Sequence, residues 1–276
     1  MNNDEIYKLI NIANVVKVGT SCTRSFFRGH PKTYNNLIPR IFRSFYGSEH
    51  YIKLRPDYEL SIIEEFKQVA PALYPNIPGK DDYLEWLVLM QHHGVPTRLL
   101  DWTRSILIAL YFAVKDFPEV DGEIWLLYPD ALNKKSNMPG MPINNNPYLK
   151  YLAEETYYGK GRSSDLADRL KLSNVTKYPI AFFPTLNFIR MVVQSSVFTI
   201  HSFPEKGNHI EDILKNERHL FRYVIPAKFK QYLLQDLKSL EIKNYRIFHN
   251  LDSLAKDVIS ESNIVAYTPP EPPKFK

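Results

Sequence analysis

Fifteen residues, Gln91-His92-His93-Gly94-Val95-Pro96-Thr97-Arg98-Leu99-Leu100-Asp101-Trp102-Thr103-Arg104-Ser105, restrict this chain more than any other stretch. They carry three groups able to hold or move a proton (His92, His93, Asp101), two guanidinium groups (Arg98, Arg104) and three hydroxyls, and an apolar run follows at once. Burying so many polar groups is unfavourable unless they satisfy one another or a ligand. The stretch is therefore either a polar network or a site. Pro96 lacks an N–H and biases Val95 away from helical geometry, so Gly94-Val95-Pro96 ends the preceding helical pattern. This reading places the polar groups at a bend between two helices.

The flanking pattern supports that placement. A helix is expected from Asp81-Asp82, whose acids complement its positive N-terminal end, through Tyr83, Leu84, Trp86, Leu87 and Met90 to the histidine pair. After the bend, Thr103-Arg104-Ser105 caps a helix over 106–114 that is apolar on nearly every side and hence buried. Elsewhere, apolar spacing predicts helices over 6–16, 57–73 (with Pro71 helping to end it), 210–214, 227–240 and 251–260. Strands are expected at 23–29, 123–128, 180–183, 197–201 and 221–225. Residues 30–51, including Arg40 and Arg43, read as irregular chain with a short helix. Residues 129–178 read as an elaborated insertion with one helical stretch near 165–172, and 267–276 as a frayed Pro-rich tail. Strands interspersed with helices, without a βαβ rhythm, imply an α+β fold: one domain over 1–266 with a mixed or antiparallel sheet flanked by helices.

Charge adds a mild bias. The 35 basic and 30 acidic residues give a formal +5 and a pI near 9.0, spread rather than blocked, which favours an anionic partner such as a nucleotide or nucleic acid. The single Cys22 excludes an internal disulfide and a cysteine-based zinc cluster and fits a reducing cytoplasm. No apolar run approaches ~18 residues, so neither a spanning helix nor a membrane partner is expected. The common phosphate-loop, dinucleotide, serine-elbow and zinc-protease signatures are absent.

Each candidate residue has two readings. Arg28, set between aromatics and Gly29 at a strand end, suits a bidentate clamp on phosphate, with Gly29 allowing close backbone approach; the rival is a buried arginine paired with a core acid such as Asp101. His92 and His93 are helix neighbours pointing different ways, so at most one faces a given pocket, and their spacing gives no support to a metal. Asp101, between Leu100 and Trp102, is expected inside with an arginine partner, Arg98 or Arg28, an Arg98–Asp101 salt bridge being the leading reading. Thr97, Thr103 and Ser105 read as helix caps. Arg190 and Gln194, four apart, share one helix face, and read either as ligands for phosphate and amide groups or as a core polar network.

Phe27-Arg28-Gly29, the 91–103 motif with Ala109-Leu110-Tyr111-Phe112-Ala113, and Arg190 with Gln194 and Phe198 resemble the FRG-domain family, named for its Phe-Arg-Gly motif. Two departures stand out: His93 where an aromatic such as Tyr is usual, and Ser196 where glycine would follow Gln194. More distantly, the strand-borne Arg-Gly is similar to the first motif of Arg-Ser-Glu ADP-ribosyltransferases. That resemblance implies an NAD-using toxin or anti-phage effector. Arg28, Gly29, Thr97, Arg98 and Arg190 would hold the dinucleotide, with Thr103 or Ser105 as alternatives to Thr97 for the hydroxyl motif. His92, Asp101 and Gln194 would shape the reacting pocket, and the target would be protein or nucleic acid. The Glu-x-Glu of that class has no match; Glu217 precedes a strand, but Arg222 stands where an acid would help. The competing function classes are a non-catalytic nucleotide- or protein-sensing module and a nucleic-acid-binding or nuclease effector.

Overall fold

Strand β1 (Phe26–His30) sends Phe26, Arg28 and His30 to one face of a sheet and Phe27 and Gly29 to the other. The computed structural model describes residues 24–34, 36–43, 56–138, 140–143, 146–154, 178–202, 209–215 and 217–262. The expected helices over 6–16 and 165–172, the tail and Cys22 lie outside them. On one side β1 pairs with β3 (Gly122–Leu127), and on the other with β2 (Leu99–Thr103). With β4 (Ile180–Phe182), β5 (Ser196–Ile200) and β6 (Leu220–Ile225) the order is β4-β5-β2-β1-β3-β6, and each of these neighbours is antiparallel. The α+β class and the antiparallel sheet agree with the sequence reading.

One departure matters for the site. Residues 99–103 are a central strand rather than part of a bend between helices; the bend is confined to the turn after His92. The short run Leu-Leu-Asp-Trp-Thr carries little strand signal alone, yet β5 supplies a partner at each of its five positions, from Leu99↔Ile200 to Thr103↔Ser196. Tertiary pairing overrides weak local preference here.

Among the described residues the helices include α1 (Arg40–Arg43), α2 (Pro56–Leu73), α3 (Tyr83–His92), α4 (Ile106–Val114), α5 (Pro129–Lys135), α6 (Ile189–Val193), α7 (Ile210–Ile213), α8 (Ala227–Ser239), α9 (Asn244–Phe248) and α10 (Leu251–Glu261), with residues 147–154 also helical. Pro71 sits inside α2, which ends two residues later. Ser105 caps α4 as expected, its Oγ accepting from the Ile108 N–H. Helix α4 packs with Phe27, Ile124, Leu126 and the apolar face of α8. Helix α3 buries Leu84, Leu87 and Met90 against Leu99, Phe182 and Ile200. Both cores press on the sheet and fix β1 and β2 in place.

Candidate functional site

Strands β1 and β2 register at one position, Phe27↔Thr103, whereas β1 and β3 register at five. Beyond that pair they part, and a cavity of about 310 Å³ opens between them. Arg28, Arg40, Arg43, Asp101, Arg190 and Gln194 line it. Four guanidinium groups thus share the cavity with one carboxylate among the described residues that line it. A volume near 300 Å³ is at the small end for ligand pockets and is ample for a di- or triphosphate group.

Each guanidinium is anchored by a neutral acceptor or a ring. The Arg28 Nη1 donates to the Asp101 carbonyl, which the parting of the strands leaves facing it, and its Nε donates to His30 Nε2 at 2.7 Å. Arg40 Nη1 donates to the Gly94 carbonyl at 2.7 Å, and Arg43 Nε to that of Ile38 at 2.9 Å. Arg190 lies over the Phe248 ring, 5.1 Å from its centre. Burial pulls Arg28 down to about 10, with neighbouring Asp101 opposing and Arg43 reinforcing the shift. Burial also lowers Arg43 and Arg190, again against Asp101. Held mainly by carbonyls and an aromatic face, these cations keep most of their charge available to an anion.

Asp101 corrects an expectation. Its side chain is 56% exposed and faces the cavity, 3.8 Å from Arg28 Nη1, instead of lying inside. A relay of donors aims it. The Thr97 hydroxyl donates to Gln91 Oε1 at 2.6 Å, which turns the amide so that Nε2 donates to Asp101 Oδ2 at 2.6 Å. The expected Arg98–Asp101 bridge does not form: Arg98 pairs with Glu59 of α2, each side chain 2% exposed. Alternation along the chain explains this, because Arg98 and Asp101 leave the backbone on different sides as β2 begins.

Residues 23–121 match the family model described as FRG domain. That span, less than half of the chain, carries the FRG domain. No curated protein and no solved structure matches it. The matched span supplies Arg28, Arg40, Arg43, Gln91 and Asp101, while Arg190 and Gln194 come from beyond it.

Within the FRG domain, the glycine of Phe27-Arg28-Gly29 has a packing cause. A Cβ at Gly29 would lie 1.8 Å from the Ala109 carbonyl of α4, and one at Gly122 would lie 2.4 Å from that of Ala113. The close approach that Gly29 permits on that face is therefore to a helix. Thr97 is fully buried, bonded to Gln91 and to the Leu99 N–H, so it acts on the cavity through Gln91. His92 is not among the residues lining the cavity; it stacks on Phe188 with centroids 4.0 Å apart, and burial, then His93 and Arg190, hold it down to about 4. That stack seats α6, which carries Arg190. His93 meets the same ring edge-on, 6.1 Å away.

The Thr103 hydroxyl donates to the Gln194 carbonyl at 2.6 Å, and Gln194 Nε2 donates to the Ile247 carbonyl at 3.2 Å. The turn after Gln194 is made with Ser195 in the left-handed region, φ 48°, so the strained residue precedes the position where the family pattern has glycine. Glu217 pairs with Lys135 and His219, away from the cavity. Three side chains that line the cavity lie outside the site residues expected from the sequence: Arg40, Arg43 and Gln91. The spacing of Arg40 and Arg43, three apart around buried Ile41 and Phe42, was the available signal.

Proposed function

We propose that the cavity binds a nucleotide through its phosphates, and that NAD is the nucleotide, consumed in an ADP-ribosyl transfer. The observation that carries this reading is the gathering of four guanidinium groups around one carboxylate. Paired arginines suit pyrophosphate, which accepts forked hydrogen bonds from more than one guanidinium. In the transfer, the bond between the ribose C1′ and the nicotinamide nitrogen breaks and nicotinamide leaves with the bonding pair. Positive charge then develops at C1′, an acceptor lone pair forms the new bond, and the acceptor's proton passes to a base. In this reading Asp101 stabilises that charge and takes the proton, while phosphate anchoring orients the ribose over it. Gln91 and Thr97 hold the carboxylate in place. The toxin or defence role implied by the family resemblance belongs to this reading and rests on the resemblance alone.

Labelled NAD incubated with the protein and a cell lysate tests the reading. Transfer of label, or NAD consumption, is expected from the native chain, and Asp101→Asn should bind NAD while losing turnover. A second reading, a nucleotide-sensing module without chemistry, is favoured by one fact: Asp101 already has partners in Gln91 and Arg28. Tight NAD binding with neither loss of NAD nor transfer would select that second reading.

A further inference from the structure

The face of β1 that carries Arg28 also carries His30, and the register across β1 and β3 sets His30 opposite Glu123 and Arg28 opposite Trp125. These side chains form a chain of hydrogen bonds with defined direction. The Nε–H of Arg28 can only donate, so His30 Nε2, 2.7 Å away, must accept. The ring is then neutral with its proton on Nδ1, which donates to Glu123 Oε1 at 2.8 Å. That oxygen also receives the Trp125 Nε1–H at 3.0 Å and the Tyr34 N–H at 3.2 Å, while Oε2 receives Arg222 Nε at 2.6 Å. With three donors on Oε1, Glu123 can serve His30 only as an acceptor, and the tautomer is fixed.

We propose that His30 and Glu123 are positioning residues for Arg28: the buried carboxylate fixes the histidine tautomer, and the histidine holds the Nε edge of the guanidinium so that its outer edge faces the cavity. This rests on the reading of Arg28 as a phosphate ligand. With Nε tied to His30 and Nη1 to the Asp101 carbonyl, the guanidinium plane is held at two corners. The electrostatics agree. Burial, helped by the nearby Arg28, brings His30 down to about 4 against the pull of Glu123, so the ring stays an acceptor at neutral pH. Glu123 is fully buried, which alone would raise it, but the bonds from His30, Trp125 and Arg222 win and hold it near 2. Glu123 thereby stays a carboxylate at neutral pH, able to receive the His30 Nδ1–H.

The test compares affinities for inorganic pyrophosphate by titration calorimetry on the full chain, each variant checked for folding by thermal melting. Arg28→Ala defines the loss when the ligand is gone. His30→Leu, which removes the acceptor, should weaken binding about tenfold or more, the usual consequence of freeing a charge-assisted bond. His30→Gln can present a carbonyl oxygen where Nε2 stood and should stay within about threefold of the native chain. Rescue by glutamine is not expected of a side chain that only fills space. Nitrogen NMR of the native protein gives a second measurement should His30→Leu fail to fold: the His30 ring should carry its proton on Nδ1 with Nε2 unprotonated across roughly pH 5.5 to 8. Native-like binding by His30→Leu, equal loss in His30→Gln and His30→Leu, or a protonated Nε2 would each overturn the positioning role. Unchanged affinity in Arg28→Ala would instead overturn the phosphate reading itself.

Discussion

Arg98 and Arg28 each meet a carboxylate near β2, and the two encounters differ in kind. Arg98 and Glu59 are closed: Nε donates to Oε2 at 2.6 Å, Nη2 lies in ion-pair contact with the same oxygen, the Arg98 backbone N–H donates to Oε1 at 3.1 Å, and both side chains are 2% exposed. Arg28 and Asp101 are open: 3.8 Å apart, with side chains 14% and 56% exposed. A closed, dry pair cannot release either member without stranding a buried charge, whereas an open pair exchanges partners at little cost. The first therefore ties α2 to the sheet, and the second leaves a guanidinium edge facing the cavity.

Variants can break or sharpen that contrast. The largest effect is expected from Glu59→Ala, which leaves Arg98 buried without its carboxylate; denaturant unfolding should show a loss of about 3–5 kcal/mol, with pyrophosphate affinity of the remaining folded protein unchanged. A specific loss of affinity in folded protein would erase the distinction. Arg28→Ala should reverse the pattern, weakening pyrophosphate by about 2–3 kcal/mol in calorimetry while unfolding free energy moves by roughly 1 kcal/mol. Arg28→Lys should not restore binding, because a point charge does not reproduce the fork. Asp101→Asn removes the anion that competes for the arginines, so pyrophosphate affinity should rise about threefold, worth under ~1 kcal/mol, with stability unaltered.

The smallest effect serves as a control at His92, which touches neither pair. Its value is lowered from 6.5 to about 4, so the folded protein resists protonation there; the associated stability is complete above pH 6.5 and disappears as pH falls toward 4. His92→Phe keeps the stack on Phe188 and should flatten the acid decline of the melting temperature by an amount equivalent to under ~1 kcal/mol, given the partial exposure of the ring.

Much of this architecture was legible in the chain, and the limits are instructive. Helix α4 announced itself through nine apolar residues behind a serine cap, and α3 through its spacing before Gly94. The convergence of Arg28, Asp101, Arg190 and Gln194 on one cavity follows from motifs that the sequence already singled out. The partners did not follow. Glu59 reaches Arg98 across 39 residues, and whether Asp101 turns inward depends on β5 fixing the register of β2. Such choices belong to tertiary packing, which local propensity and spacing do not encode. Arg40 and Arg43 were hidden for the same reason: a one-turn helix becomes part of a wall only when Gly94 receives Arg40.

A sheet that parts in its middle has two inner edges as well as two outer ones. Exposed edges invite another strand to pair, which soluble proteins prevent with charge, cover or distortion. Arg28 performs that guard duty at the inner edge by occupying the Asp101 carbonyl. A ligand that draws the guanidinium away would uncover that carbonyl, so occupation of the cavity and the integrity of the seam between β1 and β2 are linked through one side chain.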